Sequence, residues 1–310
     1  MIDIQLLRTE PEKVLADIAK KDPNFNGRGL LQLDEQLRAL KLEVEELRAH
    51  KNILAGQAKS GVTFELREQS IQVGQELKRK EHALHEVEKT FTNLYLYCPN
   101  MVYDDVPAGG KESNVVVKIV GEKPEHNFSI KHHLDLGKAL GWIDFEAGAR
   151  LAGAQFALYK GDGVKLLYSL MMLMLNNNIK HGYAPVLPPY LVKEECLEGA
   201  GNFPRFKDEA YAIEGEDLYL IPTAEVSLTN LYRDHIFALE QLPVRMTSWT
   251  SCFRREAGGY GATERGLIRM HEFEKVELYT ICEPEDGQRE LERMIACAED
   301  ILKALGLHYR

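Results

Sequence analysis

A glycine-rich loop joins two polar runs of the chain, Phe253-Arg254-Arg255-Glu256 and Arg265-Gly266-Leu267-Ile268-Arg269-Met270-His271-Glu272-Phe273-Glu274-Lys275-Val276-Glu277. This pattern predicts a β-hairpin that binds a nucleotide. Side chains alternate faces along a strand, so Arg254 and Glu256 are expected on one side of the first strand. The same alternation places a set of second-strand residues on a shared side: Arg269, His271, Phe273, Lys275 and Glu277.

That side offers the groups that a nucleotide and an amino acid need. Fixed cations bind a polyphosphate, an aromatic ring stacks on a purine, and a carboxylate binds an ammonium group. The alternative is an ordinary amphipathic hairpin whose polar side faces water, with Met270, Val276 and Leu278 packed underneath. Spacing alone leaves both interpretations open.

The composition is typical of a globular protein. With 310 residues, 45% of them hydrophobic, the chain can bury a substantial core and is long enough for two domains. The net charge of -10 disfavours nucleic-acid binding but does not exclude a local basic patch. The longest apolar run, Leu166 to Leu175, is too short to span a bilayer, and the amino terminus lacks a signal pattern. We therefore expect a cytoplasmic protein with no membrane partner.

The cysteines and histidines do not predict a metal site. Five cysteines form an odd, scattered set without a C-x-x-C pair, as is usual for reduced thiols: Cys98, Cys196, Cys252, Cys282 and Cys297. His82 and His85 lie in a charged helical segment, where a solvated face is the simpler interpretation. We predict no metal held by protein ligands.

Two long segments carry apolar residues spaced alternately four and three apart. The first contains Leu33, Leu37, Leu40, Val44 and Leu47, and the second Val73, Leu77, Leu84, Val87, Phe91 and Leu94. Only residues 60–63 separate them, so we predict an antiparallel two-helix coiled-coil arm. Its mixed charges include basic clusters that serve solubility or lie along an RNA backbone: Arg38, Lys41, Arg48, Lys51, Lys78, Arg79 and Lys80.

A domain boundary is predicted just after the arm. Cys98-Pro99-Asn100 ends the helical pattern and residues 104–110 resemble a linker, which gives domains of residues 1–101 and 102–310. The second domain alternates strands and helices, so the fold class is α+β. We predict a strand over 149–158, a helix from Gly163 to about Lys180, an extended proline-rich strand over 183–190 at a sheet edge or an interface, a strand over 218–222 and a final helix.

This order of elements resembles the seryl-tRNA synthetase family, a family of class II aminoacyl-tRNA synthetases. The match includes Cys98-Pro99-Asn100, Asn52 in the arm, and the run Leu220-Ile221-Pro222-Thr223-Ala224-Glu225-Val226-Ser227-Leu228-Thr229-Asn230. The resemblance implies a coiled-coil arm followed by a class II antiparallel β-sheet core flanked by helices. In that family a third motif follows the position of Arg310, so we expect the core to be incomplete at its carboxy terminus.

The resemblance also implies a reaction and its partners. The family activates L-serine with ATP and Mg²⁺ and transfers it to serine tRNA, with selenocysteine tRNA as a further candidate substrate. The coiled-coil arm would bind the tRNA. The helix from Gly163 and the strand ending at Pro189 would build the interface of a homodimer.

Family roles for ATP fall on residues of the hairpin. Arg254 would contact the α-phosphate, and Arg269 would help to hold the bent triphosphate. Glu256 would accept a hydrogen bond from the adenine amino group, and Phe273 would stack on the ring. The rest of the ATP-binding set is Arg255, Met270 and His271.

Three residues would surround the ammonium and hydroxyl groups of serine, namely Thr223, Glu225 and Glu277. Two carboxylates suit a small zwitterion because its cation needs compensation once it leaves water. The alternative for Thr223 is an ordinary helix cap, with Glu225 in the first helical turn.

Two other readings of the sequence stay open. One is a non-catalytic RNA-binding or regulatory relative of the same family that lacks the third motif. The other is a coiled-coil scaffold fused to an unrelated fold. Within the hairpin loop, Ala262 and Glu264 depart from the family pattern and predict a weaker contact with the tRNA acceptor end, which Arg255 would partly restore.

Overall fold

The computed structural model describes residues 2–59, 61–257 and 266–310. The hairpin loop with Ala262 and Glu264 lies outside the described residues. The chain forms two compact units, residues 1–115 and residues 116–310. The predicted boundary between residues 101 and 102 falls inside the first unit, after its last helix, and stays a prediction.

The amino-terminal unit is a helical hairpin with two short helices at its base. Its helices are α1 (Ile4–Thr9), α2 (Pro11–Lys21), α3 (Gly27–Ala58) and α4 (Phe64–Leu96). The predicted antiparallel arm is confirmed as α3 and α4. Thr63 caps α4, because its hydroxyl accepts a hydrogen bond from the backbone N–H of Leu66.

Apolar side chains fill the base of this hairpin and continue along its seam. Leu7, Val14, Ile18 and Leu30 are buried in one cluster at the base. Further along, the buried seam residues are Leu37, Val44, Leu54 and Leu77. Other residues of the predicted stripe, such as Leu40 and Val73, are only half-buried. A two-helix arm has no further layer to cover them.

A buried ion pair joins α1 to α3. Arg8 donates to both carboxylate oxygens of Asp34, at 2.6 and 2.8 Å, and Arg38 donates to one of them at 3.0 Å. The side chain of Asp34 is only 2% exposed. The hydrogen bond from Arg8 holds the pKa of Asp34 below its ordinary value of 3.8.

We expect Arg8→Met to lower the free energy of unfolding by about 1.5 kcal/mol near neutral pH, since a hydrogen bond to a charged group is lost while Arg38 still pairs with Asp34. Because the pKa of Asp34 is lowered in the folded state, its charged carboxylate stabilises the fold at pH values above the ordinary pKa. This stabilisation is lost as the pH falls through the folded-state pKa. Urea unfolding should therefore show a constant difference above about pH 5 that shrinks below about pH 4.

The matched control is Arg28→Met, which removes an exposed pair with Glu12 and should change stability by less than about 0.5 kcal/mol. An Arg8→Met difference that persisted in full at acidic pH would assign the loss to packing rather than to charge.

The second unit is built around a three-stranded sheet. Its strands are β1 (Ile143–Asp144), β2 (Leu158–Tyr159), β3 (Ala184–Pro185), β4 (Leu191–Val192), β5 (Tyr219–Leu220), β6 (Val244–Phe253) and β7 (Glu272–Ile281). Its helices are α5 (His133–Leu140), α6 (Phe145–Ala152), α7 (Asp162–Lys180), α8 (Glu194–Gly199), α9 (Ala224–Asn230) and α10 (Gly287–Ala304). The predicted α+β class is confirmed.

The central sheet has the order β3-β6-β7. Strand β6 is antiparallel to β7 and parallel to β3, so the sheet is mixed, while β1–β2 and β4–β5 form separate antiparallel pairs. The proline-rich segment supplies β3 at the edge of the sheet, as predicted. An edge suits it because Pro185 has no N–H for a second neighbour.

Helices cover both faces of this sheet. On one face, Asn178 of α7 donates to the hydroxyl of Thr247 at 2.8 Å. On the other face, Thr223 precedes α9 and donates to the carboxylate of Glu277 at 2.6 Å. Strand alternation therefore separates the side chains of β6 and β7 into a layer facing α7 and a layer facing α9.

The strand predicted over residues 149–158 is wrong for most of its length. Helix α6 runs to Ala152, and β2 contains only Leu158 and Tyr159. Asp144 caps α6 by accepting from the N–H of Ala147 at 2.8 Å. A Cβ added at Gly148 would lie 2.2 Å from the carbonyl oxygen of Phe156, so the small residue allows close packing of this helix.

Within the described residues, no helix combines the length and the apolar character that a bilayer crossing requires.

Candidate active site

The hairpin of β6 and β7 positions the candidate site. Its register pairs Ser248 with Glu277 and Thr250 with Lys275, and both β6 residues are fully buried. Phe273, Lys275 and Glu277 alternate along β7, so they share the layer that faces α9.

The strands are shorter than the sequence predicted. Strand β6 ends at Phe253, and Glu256 has a φ of 51°, in the left-handed region. Arg254 and Glu256 therefore do not lie on one side of a strand. Arg269 precedes β7, although the backbone N–H of Arg254 still donates to the carbonyl of His271 at 2.9 Å.

Three polar side chains form a hydrogen-bonded cluster on the α9 side of the sheet. The hydroxyl of Thr223 donates to Glu277 at 2.6 Å and accepts from the ammonium of Lys275 at 2.9 Å. Lys275 also contacts the same oxygen of Glu277 at 2.6 Å. The cluster joins the segment before α9 to strand β7, although these residues are far apart in the sequence.

Lys275 is a member of this cluster that the prediction of site residues missed. Strand alternation already placed it on the side of Phe273 and Glu277, but the sequence does not reveal that Thr223 lies opposite. In the structure its ammonium nitrogen lies within hydrogen-bonding distance of two of the three predicted serine ligands, Thr223 and Glu277.

Thr223 and Glu225 have the helix-cap geometry of the simpler interpretation, and their role in binding serine stays a prediction. Thr223 is the N-cap of α9, since its hydroxyl accepts from the N–H of Glu225 at 3.3 Å. Glu225 occupies the first turn and is exposed. In the part of the chain that the structure describes, its carboxylate has no hydrogen bond or ion pair, so it is available to a ligand.

Arg254 lies beside this cluster. Its Nε donates to the carbonyl oxygen of Pro222 at 3.4 Å, and its guanidinium lies 5.2 Å from the centre of the Phe273 ring. These contacts place a cation next to the aromatic face that was predicted to stack on adenine. Arg254 and Glu256 also line a cavity of about 320 Å³ whose other walls include Leu197, Phe203, Phe206 and Ala210.

Glu256 and Arg269 contact each other at 2.9 Å across the two ends of the hairpin. Their side chains are 18% and 23% exposed, so the pair is largely shielded from water. The Nε of Arg269 is buried and finds no acceptor among the described residues. A buried donor without a partner costs free energy, and an oxygen of a bound ligand would satisfy it.

The remaining predicted ATP-binding residues, Met270, His271 and Arg255, lie in two different places. Met270 is buried, and the ring of His271 stacks on Phe156 with centres 5.1 Å apart. Arg255 instead lines a separate cavity of about 300 Å³ with Lys207, Tyr211 and Tyr219. The structure therefore does not bring Arg255 together with Arg254, because neighbouring residues of an extended segment point in different directions.

Across the described ranges, no three acidic, histidine or cysteine side chains converge as a metal site. Cysteines in these ranges are free thiols, and burial raises the pKa of Cys98 to about 11. A thiol with such a pKa stays protonated at neutral pH.

Comparison with known families assigns both units. Residues 206–310 match the tRNA synthetase class II core domain (G, H, P, S and T), so this part of the fold is that of a class II aminoacyl-tRNA synthetase. This match excludes an unrelated fold after the coiled coil. Residues 1–102 match the seryl-tRNA synthetase N-terminal domain. The chain belongs to the seryl-tRNA synthetase family, whose members are serine–tRNA ligases, and the resemblance seen in the sequence is confirmed.

Individual relatives agree with this assignment. The serine–tRNA ligase of Methylacidiphilum infernorum is 40% identical over all of this chain, which spans 76% of that protein. That of Dehalococcoides mccartyi is 41% identical, with 75% of its length covered. The crystal structure of seryl-tRNA synthetase from Pyrococcus horikoshii complexed with ATP superimposes with a TM-score of 0.89 at 30% identity, covering all of this chain and 76% of the other.

Proposed function

We propose that this chain activates L-serine with ATP and transfers the seryl group to serine tRNA, using the cluster of Thr223, Lys275 and Glu277 as its serine site. The observation that carries the proposal is the position of a cation, Arg254, on residues that adjoin that cluster in the sequence and on strand β7. Thr223 follows Pro222, whose carbonyl accepts from Arg254, and Arg254 lies on the ring of Phe273. The residues that we assign to serine are thus next to those that we assign to ATP.

The serine ammonium is assigned to the acceptors of this cluster. Lys275 already places an ammonium group between Thr223 and Glu277, which supports the ability of these oxygens to bind a cation. The exposed carboxylate of Glu225 supplies the second negative charge. Recognition of the serine hydroxyl by hydrogen bonds would exclude alanine, since the analogue leaves buried polar groups unpaired.

ATP is assigned to Arg254, Glu256, Arg269, Phe273 and their neighbours. The relative from Pyrococcus horikoshii, solved with ATP, supports ATP as the nucleotide. Glu256 and Arg269 would exchange part of their mutual contact for the adenine amino group and the triphosphate. The unpartnered Nε of Arg269 supports a phosphate oxygen at that position. We assign Met270 and His271 to the lining of this pocket. Arg255 is also assigned to ATP, although it lines the separate cavity with Lys207 and Tyr211.

The chemistry requires positioning more than proton transfer. The serine carboxylate is already ionised, so it attacks the α-phosphate without a protein nucleophile or a general base. Negative charge grows on the phosphate, and a preorganised cation at Arg254 stabilises it. Mg²⁺ usually binds through phosphate oxygens and one or two carboxylates, so we propose that it enters with ATP and assign no described residue to it.

The wider assignments are also proposals. Exposed apolar side chains on α7, namely Leu166, Tyr168 and Met172, support a homodimer through this helix. The arm of α3 and α4 is assigned to serine tRNA, with selenocysteine tRNA as a second candidate, and the site of action to the cytoplasm.

The activity test is exchange of pyrophosphate into ATP, which measures adenylate formation alone. Serine should drive this exchange far better than alanine, threonine or glycine. Faster exchange with another amino acid would reject the proposed substrate. Binding of serine tRNA without any exchange would instead favour the non-catalytic relative.

Two lysines of the arm are the strongest candidates for RNA contact. Arg48 pairs with Glu81 and Lys41 with Glu88, and this register places Lys51 opposite Lys78. Both lysines are exposed, and neither has an ion pair among the residues described. Two like charges left without a carboxylate suit an anionic partner such as a phosphate backbone.

We expect the double variant Lys51→Ala/Lys78→Ala to weaken binding of serine tRNA and to reduce the slope of log affinity against log salt by about 2, one for each lost phosphate contact. Filter binding at several salt concentrations measures this slope. Serine-dependent exchange should not change. The control is Lys138→Ala, an exposed lysine of the second unit. An unaltered slope would remove these lysines from the tRNA surface.

A further inference from the structure

A buried chain of polar groups lies behind the sheet, on the face opposite the serine site. The thiol of Cys297 donates to Oδ1 of Asn178 at 3.2 Å, and Nδ2 of Asn178 donates to the hydroxyl of Thr247 at 2.8 Å. That hydroxyl donates to the backbone carbonyl of Glu277 at 2.7 Å. The three side-chain residues are at most 2% exposed.

The hydrogen bonds of this buried network can run in only one direction, from Cys297 to the carbonyl of Glu277. A carbonyl oxygen can only accept, so Thr247 must donate to Glu277 and accept from the amide NH₂ of Asn178. The amide oxygen of Asn178 is then left to accept from the thiol of Cys297. Burial raises the pKa of Cys297, which keeps the thiol protonated as this direction requires.

Helix propensity does not explain these residues. Residues 176–178 of α7 are three consecutive asparagines, and asparagine is a poor helix former. Asn177 also donates to the carbonyl of Cys297 at 2.9 Å, so two of the three tie α7 to α10. A buried polar network is costly unless every member is satisfied, and this one joins four elements, α10, α7, β6 and β7.

The network ends at the backbone of Glu277, whose side chain belongs to the serine cluster. The carbonyl of Glu277 is held from the α7 face, and its carboxylate extends to the α9 face, where it meets Thr223 and Lys275. The hydrogen bond from Thr247 on the α7 face therefore restricts the position of the Glu277 backbone in the sheet.

We infer that Thr247 and Asn178 are positioning residues for serine: through the carbonyl of Glu277 they set the place of its carboxylate. This inference rests on the proposed function, because it assumes that Glu277 binds the serine ammonium. It also connects α7, the helix that we assign to the dimer interface, to the amino-acid site.

The test is Thr247→Val, which keeps the shape of the side chain and removes the hydroxyl. We expect the KM for serine in pyrophosphate exchange to rise about tenfold, as displaced supporting groups usually cause, while the KM for ATP changes less than about twofold. Thr247→Ser restores the hydroxyl and should return the serine KM to within about twofold of the parent. Asn178→Leu should reproduce the selective effect.

Should Thr247→Val fail to fold, Cys297→Ala tests the far end of the chain of hydrogen bonds. It should raise the serine KM about threefold, and Cys297→Ser, which keeps a donor, should not. A fall in Tm with both KM values unchanged, or an equal rise in both, would overturn the inference. A parent protein that does not use serine would instead reject the proposed function.

Discussion

Replacing Arg254 by alanine should slow adenylate formation roughly a hundredfold, which corresponds to a loss of about 3 kcal/mol of transition-state stabilisation. The guanidinium is held by the carbonyl of Pro222 and the ring of Phe273, next to the serine cluster. It is therefore placed to meet charge that grows on the α-phosphate as the serine carboxylate attacks. Because Arg254 is assigned to the α-phosphate and not to the serine ammonium or hydroxyl, serine binding should change little. Single-turnover formation of seryl-adenylate measures the rate, and calorimetry measures serine affinity.

The neighbouring arginine provides the comparison. Arg255 lines the separate cavity with Lys207 and Tyr211, so Arg255→Ala should slow the same step by less than about tenfold. Each variant removes one guanidinium, and the two positions are neighbours in the sequence. The two variants therefore change the charge of the protein equally and in the same segment. Equal losses of rate and of serine affinity in Arg254→Ala would count against its assignment to the α-phosphate.

Local periodicity was sufficient to predict much of the fold. The heptad pattern required two helices, and four residues between them allowed only an antiparallel return, which α3 and α4 confirm. The Pro185 segment was placed at a sheet edge because proline lacks a donor, and β3 occupies that edge. The strand predicted over 149–158 was wrong because small residues suit a close helix contact as well as a strand. Gly148 against Phe156 is a tertiary contact that composition does not show.

The candidate site was predictable as a set of residues but not as an arrangement. Strand alternation placed Phe273, Lys275 and Glu277 together, yet nothing in the sequence showed that Lys275 reaches Thr223. Alternation gives a wrong prediction for Arg254 and Glu256, because the strand ends at Phe253 and Glu256 has a positive φ. The contact of Asn178 with Thr247 depends on how α7 packs against the sheet, and such long-range packing has no local signal.

The charge of the serine cluster explains why Glu277 should be the most sensitive residue for amino-acid binding. When Glu225 is counted with the cluster of Thr223, Lys275 and Glu277, two carboxylates and one ammonium give the serine site one net negative charge, which the ammonium of serine neutralises. In Glu277→Gln the same site is neutral before serine arrives and positive afterwards. Glu277 is only 14% exposed, so water screens little of this difference.

We therefore expect Glu277→Gln to weaken serine binding by about 3 kcal/mol, or roughly a hundredfold, as is typical when one partner of a buried charge pair is removed. The amide keeps the size of the side chain and can still accept from Thr223, so the loss reports charge rather than shape. Calorimetric titration with serine measures it, and the affinity for ATP should change less than about threefold. The matched control is Glu274→Gln on the opposite face of β7, where Glu274 accepts from Trp249 and Ser251. Because its carboxylate points away from the cluster, that variant should bind serine like the parent. Equal losses in the two variants would mean that any carboxylate of β7 serves, and that Glu277 does not hold the ammonium.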